Sequence, residues 1–230
     1  MIIASGIIGG YSARGVTFSG DYLKISGSAG LSDSKTGLLS IWTKSTSSSL
    51  MFAVYDGRFR VYVDTDLSIV GMNSSGSTIL NISAATSTLN DDNWHHTLAA
   101  WDTSASAKTK VYLDGVDATS ISALLDSAVD YGNYGEFRIG AATSSASYSG
   151  DMAEFYLTNE WADITDAAVR AKFSRNGRPV SLGSDGSKPT GTAPPIYLKG
   201  PASTWGVNSG TGGNFTVVGS FSDAATKPSY

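Results

Sequence analysis

The sequence predicts an all-β fold, because its composition and its residue patterns both favour short strands joined by tight turns. Of its 230 residues, 26 are glycines and only 16% are charged, whereas the residues typical of helices are scarce. Apolar and polar residues alternate in many short segments that are separated by Gly, Ser, Asn and Asp clusters. The length suffices for one large all-β domain or for two small ones.

The segment RFRVYVD illustrates this alternation. Phe59, Val61 and Val63 fall on one face of an extended strand, and the two arginines and Tyr62 fall on the other. An Asp-Gly pair stands just before the segment, and glycine readily adopts the positive φ of a tight turn. The pattern therefore predicts a hairpin whose second strand has one apolar and one polar face.

One segment, DITDAAVRAKF, predicts a short helix near residues 164–175. Thr165 is placed to cap its first turn, and Asn176 with Gly177 offers a left-handed stop. Basic residues lie towards its end, where they favour the helix dipole. We expect this helix to be structural and to cover an edge or an end of the β-structure.

The domain organisation follows from changes in composition along the chain. Residues 1–177 are interpreted as the main domain, with 1–15 either an arm or its first part. Residues 178–195 are rich in Gly, Ser, Pro and Thr and are interpreted as a linker. Residues 196–230 are expected to form a C-terminal strand pair or tail, which completes the domain or contacts a neighbouring subunit.

Charge and cysteine content exclude several classes of function. The net charge is −4 without charged blocks, so neither a nucleic-acid surface nor a membrane anchor is expected. The chain has no cysteine, which excludes disulfides and thiolate chemistry. The apolar run Met1 to Ile8 is short and lacks a preceding positive charge, so we do not expect a secretion signal.

Both histidines stand side by side in NDDNWHHTLAAWD, between Trp94 and Trp101. Successive side chains of a strand point to opposite faces, so His95 and His96 diverge. A zinc ion needs three or four convergent ligands, and the chain has no further histidine and no cysteine. We therefore expect the pair to be architectural, with both tryptophans in the core.

Three sets of segments resemble a known family. They are NWHHTLAAWD followed by KVYLDGV, GVTFSGDYLKISG followed by GLLSIWTK, and FRIGAATSSASYSGDMAEFYLT followed by the helical segment. Their order and spacing from Val16 to Phe173 are similar to those of laminin-G-like domains in the concanavalin A-like lectin/glucanase superfamily. The resemblance implies a two-sheet antiparallel jelly-roll β-sandwich, and the alternation of short strands agrees with it.

Some members of this superfamily hydrolyse glycans with closely spaced carboxylates. The glutamates of this chain are Glu136, Glu154 and Glu160, and Glu154 matches a structural glutamate of the family. Asp151 and Glu154 are three residues apart and so face opposite sides of a strand, whereas a glycosidase needs two carboxyls about 5–10 Å apart across its substrate. We therefore expect a non-enzyme without catalytic residues.

The resemblance also raises calcium, which many laminin-G-like domains bind at a rim. Calcium takes six to eight oxygen ligands, often several carboxylates. Asp64 with Asp66, and Asp126 with Asp130, are the candidate donors. Isolated acids in loops are usually solvated turn residues, so no cofactor or metal is assigned and calcium is kept as an alternative.

Ligand binding is expected in loops that combine aromatic rings with amide, carboxylate or hydroxyl groups. The segment DYGNYGE contributes Asp130, Tyr131, Asn133 and Tyr134, and SASYSGD contributes Tyr148. The alternative for each of these tyrosines is a structural role at the end of a β-sandwich.

The Ser/Thr/Ala/Gly-rich surface and the stretch STWGVNSGTGGNFTVVGSF resemble regions of phage virion proteins. This resemblance implies a capsid-decorating or tail-associated protein that is lattice-bound or homo-oligomeric and is made in the host cytoplasm; outside a virion it would be extracellular. The hypothesis is a non-enzymatic interaction module with capsid or tail proteins, and also glycans, as partners. A free carbohydrate-binding lectin is the first alternative, and a glycan hydrolase is the second.

Overall fold

The computed structural model describes residues 11–46, 50–52, 58–63, 66–84, 89–132, 135–141 and 148–230. Within these ranges the chain forms one α-helix, α1 (Ala167–Arg170), and two 3-10 turns, Ser106–Lys108 and Ala202–Thr204. The strands are β1 (Val16–Ser19), β2 (Tyr22–Ser26), β3 (Thr36–Lys44), β4 (Leu50–Phe52), β5 (Phe59–Val63), β6 (Leu67–Met72), β7 (Thr78–Ala84), β8 (His95–Asp102), β9 (Lys110–Leu113), β10 (Val116–Asp117), β11 (Thr119–Leu124), β12 (Glu136–Ile139), β13 (Ser149–Thr158), β14 (Ser174–Arg175), β15 (Arg178–Pro179), β16 (Ile196–Leu198), β17 (Thr216–Val218) and β18 (Ser222–Asp223).

The strands pair antiparallel in three main sheets. An eight-stranded sheet has the order β10-β9-β8-β3-β13-β1-β18, and β16 pairs with the second half of β13. A five-stranded sheet has the order β11-β7-β6-β5-β4, and a three-stranded sheet has the order β12-β2-β17. The predicted all-β, antiparallel jelly-roll sandwich with one short helix is confirmed.

One hydrophobic core lies between the eight-stranded sheet and the two smaller sheets. Alternate residues of the longer strands enter it, including Leu39 and Ile41 of β3, Leu23 of β2 and Phe59 of β5. The ring of Trp101 on β8 lies 5.7 Å from that of Phe59, which joins the two layers. The period-two alternation of the sequence thus determines which side chains form the core.

The other face of the eight-stranded sheet, here called the covered face, is also buried. Leu38, Leu98 and Tyr156 pack there against Ile164 and Phe173, which belong to the segment carrying α1. The segment that carries α1 therefore has a structural role, as predicted, but it covers a sheet face and not an edge or an end. Because both faces of this sheet are packed, its central strands are apolar on both sides.

The C-terminal residues cover the remaining part of the covered face. The ring of Trp42 stacks on that of Tyr230 at 5.5 Å, and the Trp94 indole N–H donates to the Thr226 hydroxyl at 2.9 Å. Residues 196–230 also supply β16, β17 and β18 to the sheets. The tail thus pairs with strands of its own chain.

The helix is shorter than the predicted span near 164–175. Its N-cap is Asp166, whose carboxylate accepts a backbone N–H of the first turn at 2.8 Å. The Thr165 hydroxyl instead donates to Asp163 at 2.6 Å, so the expectation that Thr165 caps the helix is wrong. Asn176 and its following glycine have positive φ and form the turn between β14 and β15.

His96 is a buried part of the covered face. As the alternation predicts, His96 lies on the same side of the strand as Leu98 and Trp94, both of which are buried on the covered face. The ring stacks on Trp42 at 4.8 Å, and its Nε2 lies 2.9 Å from the Ser40 hydroxyl. Burial lowers the pKa of His96 to about 4, so this residue is neutral at pH 7.

His95 points away from His96 and lies between two carboxylates. Its Nδ1 is 2.7 Å from Asp114 and its Nε2 is 3.0 Å from Asp91. The hydrogen bond with Asp114 raises the pKa of His95, although partial burial opposes the shift. Asp114 also accepts the backbone N–H of His96 at 2.8 Å. Both ring nitrogens are occupied, so neither serves as a metal ligand or a general base in this arrangement.

Replacing Gly37 with alanine tests the contact between β3 and β8. A Cβ atom at this position would overlap the Trp101 indole, which is fixed in the core. We expect Gly37→Ala to lower the free energy of unfolding by about 1–3 kcal/mol through overpacking. Urea denaturation measures the change. Gly135→Ala is the control, because its Cβ meets no atom within 4 Å; equal losses in the two variants would contradict this packing.

His96 should make the folded state sensitive to acid. Its pKa is about 4 in the folded protein, against 6.5 as its ordinary value, so below pH 6.5 the unfolded chain binds a proton more readily than the folded one. The stability contributed by neutral His96 is therefore complete above pH 6.5 and is lost as the pH falls towards 4. At pH 4.5 the loss should be about 2–3 kcal/mol.

Urea denaturation of the wild type and His96→Gln at pH 7.5 and pH 4.5 isolates this contribution. Glutamine can still bond with Ser40 but does not titrate. The variant should lose less stability between the two pH values than the wild type does. Parallel losses in the two proteins would show that His96 is not protected from protonation.

Candidate functional site

The five-stranded sheet has one face in the core and one face directed outwards. On β5, Phe59, Val61 and Val63 are buried, whereas Arg60 and Tyr62 between them are partly exposed. The alternation read from RFRVYVD is thus confirmed. The outward side is here called the open face, and on the neighbouring strands it carries polar residues together with Val70, which is 9% exposed, and Ala123.

Strand register brings the side chains of the open face into two rows. Paired residues of antiparallel strands point to the same side, and each strand lies about 4.8 Å from the next. The first row consists of Tyr62, Ser68, Ser83 and Ser120. The second row consists of Arg60, Val70, Asn81 and Ala123. Each row crosses three strand spacings, which is about 14 Å.

Arg60 and Tyr62 form the most distinctive pair on the open face. The guanidinium carbon of Arg60 lies 5.5 Å from the centre of the Tyr62 ring, within the range of a cation–π contact. The Arg60 Nε is buried and has no hydrogen-bond partner among the described residues. An aromatic ring, a cation, an amide and several hydroxyls thus share one rigid surface.

The chemistry of the open face suits a flat, polar ligand with some apolar surface. The Tyr62 ring offers an apolar plane, and the Asn81 amide offers both a donor and an acceptor. The serine hydroxyls of the first row can donate or accept. Because these groups stand on paired strands, their spacing is fixed by the sheet.

The structure places Tyr131 and Tyr148 in the core. Tyr131 is 7% exposed, and its ring lies 5.0 Å from that of Phe59. Tyr148 is 0% exposed, and its hydroxyl donates to the backbone carbonyl of Asp151 at 2.8 Å. Neither ring presents a face to a ligand, because both are packed in the core, which is the structural alternative stated above. We therefore do not place the site on them.

The remaining predicted ligand-binding and calcium-binding residues do not come together in a site within the described residues. Asn133, Tyr134 and Asp64 lie outside the described residues. Asp130 is 2% exposed and accepts the N–H of a glycine two residues later at 3.2 Å. Asp126 pairs with a lysine at 2.7 Å.

Calcium candidates do not converge in the part of the chain that the structure describes. There, no three acidic or histidine side chains come together in a way that could hold a metal ion. This applies to Asp66, Asp126 and Asp130. The calcium alternative therefore has no supporting geometry in these ranges.

Glu154 is a structural residue of the covered face. It lies at a bulge of β13, with a φ of 50°, and is 3% exposed. The hydroxyls of Tyr11 and Tyr197 donate to its two carboxylate oxygens at 2.6 and 2.7 Å. Burial raises the pKa of the Glu154 carboxyl, although these hydrogen bonds favour its charged form. The arrangement agrees with the structural role that the family resemblance implies.

A cavity of about 400 Å³ lies beside Tyr11 and is lined in part by Arg14 and Lys199. Both cations already have partners. The Lys199 ammonium donates to the backbone carbonyls of Gly183 and Ser184 at 2.6 and 2.9 Å. Arg14 lies 3.8 Å from a carboxylate oxygen of Asp223. The cavity is therefore a weaker candidate than the open face.

Only the polar side of β5 can be predicted from the sequence. The alternation in RFRVYVD already places Arg60 and Tyr62 together on the polar side of one strand. A binding surface also requires that the sheet face stays uncovered. That property depends on the path of the C-terminal residues and is not visible in any single segment.

Comparisons with solved structures support the architecture. A heptameric SAP-like pentraxin from Limulus polyphemus superposes with a TM-score of 0.58 at 14% identity, over 93% of this chain and 95% of that chain. A putative carbohydrate binding protein from Bacteroides ovatus gives a TM-score of 0.59 at 15% identity, over 94% of this chain but only 61% of that chain. At these identities the likeness shows the fold alone.

Family membership is decided by sequence. No curated protein matches the chain significantly; within the described residues, moreover, no helix is long and apolar enough to cross a membrane.

A laminin-G-type family model matches residues 17–161, a range that includes the entire five-stranded sheet. The chain therefore belongs to the concanavalin A-like lectin/glucanases superfamily.

Proposed function

We propose that this chain is a non-enzymatic glycan-binding module and that the open face is its binding surface. The observation that carries the proposal is the pairing of the Tyr62 ring with polar groups on adjacent strands. Membership of a superfamily of lectins and glucanases supports the class of ligand. The fold shared with a putative carbohydrate binding protein is consistent with it.

Sugar chemistry matches this surface. One side of a pyranose ring often presents C–H groups, which pack against an aromatic plane such as Tyr62, while its hydroxyls need hydrogen-bond partners. Asn81 and the serines of the first row can supply such partners. The length of each row, about 14 Å, leaves room for more than one sugar unit.

The absence of hydrolysis is part of the proposal. Glu154 is buried and held by two tyrosines. Glu136 lies 3.2 Å from Lys24 and 2.6 Å from Arg138, so its charge is already paired. The rows of the open face contain no carboxylate in the described residues. A glycosidase needs two carboxyls across the bond to be cleaved, and this surface does not provide them.

Attachment to a phage capsid or tail stays a prediction, as do a virion or extracellular location and self-association. The covered face and the open face lie on opposite sides of the sandwich. Residues 224–230 pack towards the covered face. An attachment made on that side would leave the open face accessible to glycans, so the virion hypothesis and the glycan-binding proposal are compatible.

Removing the Tyr62 ring should weaken glycan binding. A glycan array followed by affinity measurement on retained ligands compares the wild type with Tyr62→Ala and Asn81→Ala. We expect each substitution to weaken binding about tenfold, because stacking or a hydrogen bond of about 1.4 kcal/mol is lost. Both side chains are partly exposed, so the fold should persist.

Tyr22→Ala is the matched control. Tyr22 is also a partly exposed strand tyrosine beside an arginine, but it lies on the three-stranded sheet, where the Arg138 guanidinium is 5.2 Å from its ring. Its replacement should leave binding unchanged. Retention that survives Tyr62→Ala but fails in Tyr22→Ala would move the site away from the open face. A well-folded wild type that no glycan retains would refute the proposed function.

A further inference from the structure

We propose that the open face selects acidic saccharides, with Arg60 as the residue that recognises a sugar carboxylate. This inference rests on the proposed glycan-binding function and deepens it by naming the ligand class. Two observations support it. The open face carries a positive charge at Arg60, and the buried Nε of Arg60 has no hydrogen-bond acceptor among the described residues.

Arg60 is the one charged side chain in the two rows of the open face. The other members of these rows that the structure describes are tyrosine, serine, valine, asparagine and alanine. The net charge of the chain is −4, yet the described members of the two rows carry a single charge, which is positive. A ligand that covers these two rows therefore meets a cation, and the described members of the rows include no acid.

Several other cations of the described strands and loops have a carboxylate or a carbonyl as partner. Arg138 lies 2.6 Å from Glu136, and Lys44 lies 3.2 Å from Asp92. Just before the strand that carries Arg60, Arg58 donates to the backbone carbonyl of Asn73. Among the described residues, the Arg60 guanidinium has a cation–π contact with the Tyr62 ring, but the buried Arg60 Nε has no hydrogen-bond acceptor.

A bound ligand would have to supply the acceptor that Arg60 lacks. A neutral group that covers the guanidinium removes its water and makes only weak interactions with it, so the desolvation free energy is not compensated. A carboxylate restores the balance, because it accepts two parallel N–H bonds from the planar fork of an arginine. The guanidinium is partly buried, so salt screens this contact less than it screens one between fully exposed charges.

The position of Arg60 also indicates where the acid group sits on the saccharide. Arg60 and Tyr62 are alternate residues of one strand, so their Cα atoms are about 7 Å apart. The cation lies towards the ring of Tyr62. The carboxylate would therefore belong to the sugar unit that stacks on Tyr62 or to the unit next to it, as in a saccharide that contains a uronic or a sialic acid.

Paired glycans that differ only in charge test this inference. The probes are uronic-acid and sialic-acid oligosaccharides, each measured as the free acid and as its carboxyl methyl ester, together with sulfated oligosaccharides. Affinities are determined for the wild type, Arg60→Gln, Arg60→Lys and the control Arg138→Gln. A salt series from 50 to 300 mM accompanies each measurement, because ionic contacts weaken with ionic strength.

We expect the wild type to bind at least one free acid about tenfold more tightly than its methyl ester. Arg60→Gln should abolish this preference while weak binding to the ester persists, and Arg60→Lys should retain part of it as a point charge. Arg138→Gln should leave the preference unchanged. Salt should weaken only the binding of the acids.

Three results would overturn the inference in distinguishable ways. Equal binding of acid and ester by the wild type would refute acid selection but leave glycan binding in place. A preference for sulfated over carboxylated probes with the same dependence on Arg60 would refute the carboxylate as the recognised group. No binding to any probe, with a folded protein, would count against the proposed function itself.

Discussion

The burial of strand β3 on both faces is the constraint on which the rest of the structure depends. All its residues between Thr36 and Lys44 are buried. Leu39 and Ile41 enter the core between the sheets, whereas Leu38 and Trp42 lie on the covered face. The eight-stranded sheet therefore has no free face at its centre, and the outward sheet face that the proposal uses belongs to the other layer, on the five-stranded sheet.

Covering a sheet face with chain creates a need to satisfy the polar groups that become buried. Glu154 meets this need through Tyr11 and Tyr197, and His96 meets it through Ser40. Both residues belong to types that often perform catalysis, yet here their polar atoms are used within the fold. On the open face the buried Arg60 Nε has no partner among the described residues, as is also true of Trp101 Nε1 and the Tyr131 hydroxyl in the core.

Alternation along single strands could be predicted from the sequence, and so could the fold. The separation of the two histidines and the two faces of RFRVYVD follow from a period of two, which needs no tertiary information. The cap of α1 was missed because Thr165 and Asp166 are both good caps, and a local bond to Asp163 decided between them. The core position of Tyr131 and the covering of one sheet depend on long-range packing. For this reason the sequence favoured Tyr131 and Tyr148 as binding residues, although both are buried.

We propose that the open face, and not a loop or the three-stranded sheet, holds the glycan. Nuclear magnetic resonance of the isotope-labelled chain, titrated with an oligosaccharide that it retains, tests this directly through backbone amide shifts. The account predicts saturable shifts concentrated in β5, β6 and β7, with the largest at Arg60, Tyr62 and Asn81. Shifts concentrated around Tyr22 and Arg138, with these strands unchanged, would contradict it.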